Sequence, residues 1–218
     1  MKRLLFLVLY FLPIAAVAQN VWERPDEGKQ TEQTKATVKE AKPVKPNPDA
    51  KYLAGAVTET DGKVEWTMDV GVPGKSAEQI YNIMLKCLTD LTKTENQLDG
   101  SCVALVNKKE HVVVASVKEW LVFKDNFLSL DRAKFFYNIM AYCSDGHLKL
   151  KMNRLTYKYE EDRRGNRDSR YTAEEWISDR YALNRKKTKL LPGSAKFRRK
   201  TVDRKDYIFG IIRQTVLK

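Results

Sequence analysis

The chain has 218 residues, 43% of them hydrophobic and 31% charged, with a formal net charge of +12. That apolar content supports one domain-sized core and excludes a collagen-like, wholly disordered or polytopic membrane chain. With only three cysteines, a disulfide-scaffold miniprotein is also excluded.

Met1-Lys2-Arg3 is a short basic start, followed by an apolar run over residues 4–14 and then Ala16-Val17-Ala18. A basic region, an apolar region and a small-x-small site make a secretory signal peptide, with the cut expected between Ala18 and Gln19. The run is too short to span a bilayer comfortably, and no later stretch is long enough to do so. We therefore expect a soluble, exported protein in the periplasm, in the envelope or outside the cell. Residues 19–51 alternate in charge and are punctuated by Pro25, Pro43, Pro46 and Pro48. They hold too little apolar surface to offset the entropy of ordering them, so the expectation is a flexible linker, stiffest at residues 42–48. The folded domain is expected over residues 52–218.

From Lys63 the pattern is α+β. Val64, Trp66, Met68 and Val70 alternate with polar residues, as in a half-buried strand, which Pro73-Gly74 ends. Ser76 and Gln79 form a capping box. Ile80, Ile83, Met84, Cys87, Leu88 and Leu91 then recur at helical spacing. Asp99-Gly100 is a turn. Residues 103–106, 112–117 and 121–123 are β-rich runs, each read as a separate strand. Residues 135–143 and 148–159 flank Asp145-Gly146, a hairpin signal. In the second arm the apolar parity switches from Leu148, Leu150 and Met152 to Leu155, Tyr157 and Tyr159, which predicts a bulge at Asn153-Arg154. Thr172 and Glu175 cap another helix start, with Tyr171 and Trp176 as its staple. Asp203 is expected to cap a final helix carrying Ile208, Ile211, Ile212 and Val216, and Gly210 weakens that helix.

A strand, a helix and successive antiparallel strands run from Lys63 to Tyr159. With Phe136-Tyr137-Asn138-Ile139, Leu155-Thr156-Tyr157-Lys158-Tyr159-Glu160, residues 196–203 and the leader, they resemble a family of exported bacterial proteins. That family carries a domain of unknown function with a fold like the TATA-box-binding protein. The resemblance implies a curved antiparallel sheet with helices on one face. It brings no reaction, cofactor or catalytic residue, and the fold name does not imply DNA binding. Export also argues against nucleic acid as a partner.

Charge is concentrated at one end. Residues 183–218 carry 12 basic and 2 acidic groups, so this segment holds nearly all the excess. Arg185, Lys186, Lys187, Lys189, Lys196, Arg198, Arg199 and Lys200 are the candidates for contact with an anionic membrane surface, an acidic glycan or an acidic protein partner. The competing reading is a solvated basic tail.

Candidate chemistry is thin, and no cofactor is expected. Cys102 and Cys143 are the pair to test for a disulfide in an oxidising compartment. Cys143 and His147 flank the hairpin turn, but neither an orienting third group nor an oxyanion site accompanies them. Neither C-x₂-C nor H-x₃-H spacing is present for zinc. The sequence thus points to a non-catalytic interaction protein. The alternative is an envelope hydrolase or a small-ligand-binding protein using the open face of the sheet.

Overall fold

A computed structural model describes residues 46–160 and 170–218. The expected signal peptide, its expected Ala18/Gln19 cut and most of the expected linker lie outside the described residues. The described residues form seven strands: β1 (Glu59–Thr60), β2 (Lys63–Gly71), β3 (Cys102–Asn107), β4 (Val112–Asn126), β5 (Ser129–Ser144), β6 (His147–Lys158) and β7 (Arg170–Thr172). The helices are α1 (Ala77–Leu91), α2 (Ala173–Trp176), α3 (Asp179–Ala182) and α4 (Pro192–Leu217). The strands form one antiparallel sheet in the order β1-β2-β6-β5-β4-β3, with β7 also paired to β6. The sheet is curved and open, and the fold is α+β.

Alternation along the strands separates two faces. Val113, Ala115, Val117, Phe135, Tyr137, Ile139, Leu148, Leu150 and Met152 are buried under α1 and α4. Their neighbours Val114, Trp120, Phe136, Asn138, Met140, Tyr142 and Lys151 are half-buried on the opposite face. The helix layer begins at α1, where Ser76 accepts from the Gln79 N–H and the Gln79 side chain accepts from the Ser76 N–H. This is the capping box expected from the sequence. Ile80, Tyr81, Met84 and Leu88 are the buried stripe of α1, whereas Cys87 and Leu91 are half-buried beside α4.

The predicted bulge is present. Asn153 pairs with Asn138 and Thr156 with Phe136, so Arg154 and Leu155 together face Tyr137. Arg154 takes the extra residue's strain at φ 55°.

Three expectations need correction. The runs 112–117 and 121–123 are one strand, β4, because Lys118, Glu119 and Trp120 keep the alternation unbroken. The last helix does not start at Asp203. It starts at Pro192, whose missing N–H costs nothing in the first turn. Asp203 lies mid-helix and accepts from the Tyr52 hydroxyl at 3.0 Å and from Lys51 at 2.6 Å. Finally, the residues just before the expected domain start are part of the fold. Ala50–Tyr52 form a 3-10 turn packed on α4, and Asp49 pairs with Arg199 at 2.6 Å.

Phe197 explains why a helix with a basic first half lies on the sheet. Its ring meets Phe123 at 4.5 Å, Tyr157 at 5.3 Å, Tyr159 at 5.2 Å and Trp176 at 5.5 Å between centroids. Burying such a side chain stabilises by about 2–3 kcal/mol. No helix among the described residues is long and apolar enough to cross a membrane.

Candidate functional site

The eight basic candidates do not act as one group. Arg198 is 0% exposed. Its guanidinium donates to the Tyr52, Leu53 and Ile177 carbonyls and to Asp179, each at 2.6–2.7 Å. It is a structural clamp and cannot reach a partner, which corrects its place among the contact candidates. Lys196 donates to Asp131 at 2.7 Å and to the Tyr159 hydroxyl at 2.6 Å, and its ammonium sits 4.3 Å from the Tyr159 ring centroid. Arg199 is held by both oxygens of Asp49. These three cations tie α4 to the rest of the domain.

The others are displayed. Between α3 and α4 the chain makes a short loop, closed by a bridge between Leu183 and Leu190. Asn184 holds it from inside: its Oδ1 accepts from the Thr188 and Lys189 N–H groups, and its Nδ2 donates to Thr188. Lys187 turns the chain at φ 55° and reaches back to Asp179 at 3.6 Å. Arg185, Lys186 and Lys189 are exposed and have no carboxylate partner among the described residues; the same holds for Lys200 on α4. A fixed loop therefore presents its cations with little ordering left to do on binding.

The cysteines and histidines are kept apart. All three cysteines are free. Cys102 is exposed and pairs across to Ser116, on the open face, whereas Cys143 is buried opposite Leu148 on the helix face. With β4 between their strands and the side chains on opposite faces, no bond joins them, and the expected pairing is corrected. Burial pushes the Cys143 thiol up to about 12 and raises the Cys87 thiol as well, away from the reactive thiolate. His147 pairs with Asp69 on the open face, across the sheet from the Cys143 side chain, and His111 meets Tyr81 edge-on. Iodoacetamide at pH 8 should therefore label Cys102 rapidly and Cys143 only on unfolding. Intact mass without reductant should show three thiols; a mass two protons lighter would contradict this.

Two further surfaces stand out. A groove of about 690 Å³ runs between α1 and α4, lined by Ile83, Cys87, Leu91, Tyr207, Ile211 and Thr215. Beneath it Glu119, 1% exposed, accepts two bonds from Arg204 at 2.8 and 2.6 Å and one each from Tyr137 and Gln97. Burial, with the Glu119 carboxylate adding to it, holds the Tyr137 phenol protonated well beyond its ordinary range. The open sheet face is laced by its own pairs. Glu65 takes Lys151 at 2.7 Å and Asn153 at 2.9 Å, and Arg132 covers Trp120 at 3.7 Å from the ring centroid. Among the described residues no group of carboxylate, thiol and imidazole side chains is placed to hold a metal ion.

Comparison with known proteins agrees with this architecture. The family described as "Domain of unknown function (DUF4468) with TBP-like fold" matches residues 66–158. A crystal structure of a DUF4468 family protein from Bacteroides ovatus is 37% identical, with a TM-score of 0.72 over 78% of this chain and 96% of that one. A TBP-like protein from Parabacteroides distasonis shares the fold at 19% identity and a TM-score of 0.57, over 74% of this chain and 97% of that one. No curated protein matches the chain. With the sheet order, the helix layer and this relative in agreement, the chain belongs to the DUF4468 family, whose domain has a TBP-like fold.

Proposed function

We propose that the protein is an exported, non-catalytic interaction protein that attaches to an anionic surface through the loop at residues 184–189. The observation that carries this reading is the Asn184-braced loop with Arg185, Lys186 and Lys189 exposed and unpaired among the described residues. The leader at residues 1–18 supports export, where phospholipid, acidic glycan and acidic protein are the available anions. The raised Cys143 and Cys87 thiols and the distant histidines favour binding over turnover. Each displayed cation near an anionic surface contributes about 1 kcal/mol, so three together contribute roughly 3 kcal/mol, or about a hundredfold.

The test is the triple variant Arg185→Gln, Lys186→Gln, Lys189→Gln. At low salt it should bind phosphatidylglycerol vesicles and dextran sulfate about a hundredfold more weakly than the parent. About 0.5 M salt should erase most of the difference, because the charges are exposed. Equal binding of variant and parent at low salt would overturn the reading.

A further inference from the structure

The β4–β5 hairpin ends in a two-residue turn, Phe127-Leu128, between the paired residues Asn126 and Ser129. Such turns favour glycine, asparagine or aspartate, because the matching turn types need positive φ. Neither Phe127 nor Leu128 has a positive φ, so turn geometry gives no reason for either side chain. Core packing gives none either. Phe127 is fully exposed, Leu128 is 88% exposed and Leu130 is 55% exposed. Three large apolar side chains held in water at the end of a projecting strand pair mark a contact surface.

Among the described residues, the hairpin projects past the end of β6. The last residue of β5 paired to β6, counting towards the tip, is Lys134, opposite Lys158. Beyond it, among the described residues, β4 and β5 pair only with each other as far as Asn126 and Ser129.

Three consecutive residues of α4 fix where this tip sits. Lys196 binds Asp131 on the stalk, and Phe197 packs on Phe123 of β4. Arg198 holds Asp179, to which Lys187 of the basic loop also reaches. The apolar tip and the basic loop therefore lie at the same end of the sheet, around the first turns of α4. On the stalk, Lys124 and Arg132 outweigh Asp125 by one positive charge, while Asp131 is already neutralised by Lys196. The tip carries no net negative charge to oppose an anionic surface.

We infer that the Phe127-Leu128 tip is a wedge that enters the headgroup region of an anionic phospholipid bilayer, next to the loop that attracts it. This rests on the proposed anionic surface and names its class. A bilayer accepts both parts of the arrangement: phosphate for the cations and an acyl boundary for the rings and branched chains. A soluble polyanion or acidic glycan would use the cations and leave the tip in water.

The experiment uses the chain from Gln19 onward and measures partition onto phosphatidylglycerol-containing vesicles, onto pure phosphatidylcholine vesicles and onto dextran sulfate. Phe127→Ser with Leu128→Ser should weaken binding to the anionic vesicles at least about tenfold. It should leave dextran sulfate binding and the unfolding midpoint unchanged. Phe127→Trp with Leu128→Trp should restore vesicle binding, since indole rings favour the interface. If the serine variant binds anionic vesicles like the parent, the wedge is overturned, and the anionic-surface reading survives if the triple glutamine variant still loses binding. If the glutamine variant binds like the parent while the serine variant does not, the loop reading falls and the wedge stands. Absence of binding by the parent to both vesicles and dextran sulfate overturns both.

Discussion

Arg198→Leu should lower stability by about 3–5 kcal/mol, read as a fall in the urea midpoint and roughly 10 °C or more in Tm. The substitution removes donors from the Tyr52, Leu53 and Ile177 carbonyls at once and strips Asp179 of its closest cation. Buried acceptors left without partners cost their full desolvation, which exceeds the net value of the bonds when made. Arg198→Lys should recover little, because an ammonium cannot fork to acceptors on two separate segments. Vesicle binding by whatever fraction remains folded should be unchanged. A loss of binding with intact stability would return Arg198 to the contact surface.

The second large effect is expected at Glu119. Arg204→Leu leaves a carboxylate that is 1% exposed with, among the described residues, only Tyr137 and Gln97 as donors, and should cost about 3–5 kcal/mol. Glu119→Leu alone should be costly too, because it strands the Arg204 guanidinium, which this carboxylate holds firmly in its charged form. The double variant Glu119→Leu, Arg204→Leu should be more stable than either single variant implies, with a coupling of about 2 kcal/mol or more. Equilibrium unfolding of the four proteins in one cycle checks this. Strictly additive losses would mean that the pair does not act as a unit.

These two sites also mark the limits of what the amino-acid order reveals. Local features could be read directly. The Ser76–Gln79 box, the Asp145-Gly146 turn and the bulge at Arg154 each depend on a few adjacent residues, and each is present. Long-range partnerships could not. Glu119 looked like a break between two strands because its partner Arg204 is 85 residues away. The clamp at Arg198 spans 146 residues to Tyr52, so a buried guanidinium was indistinguishable from a solvated one in a basic run. The same run hid Phe197 and Val202, which are buried on α4 between its cations. Pro192 is a usable signal for the helix start, which the expected start at Asp203 left out of account. The basic loop was legible in composition. Its bracing by Asn184 was not, because one asparagine gives no advance sign of the turn it closes. The Phe127-Leu128 tip left no turn signature at all, since it breaks the usual residue preferences for a hairpin.

The position of α4 after every strand bears on how the chain matures. Phe123, Tyr157 and Tyr159 wait for Phe197, and Tyr52 waits for Asp203, 151 residues further on. During synthesis α1 can cover part of the apolar face of the sheet, but the rest has no lid until the final helix is made. Contacts of such span close slowly. The order of elements alone thus delays consolidation, so that the domain locks only once its last helix has been made.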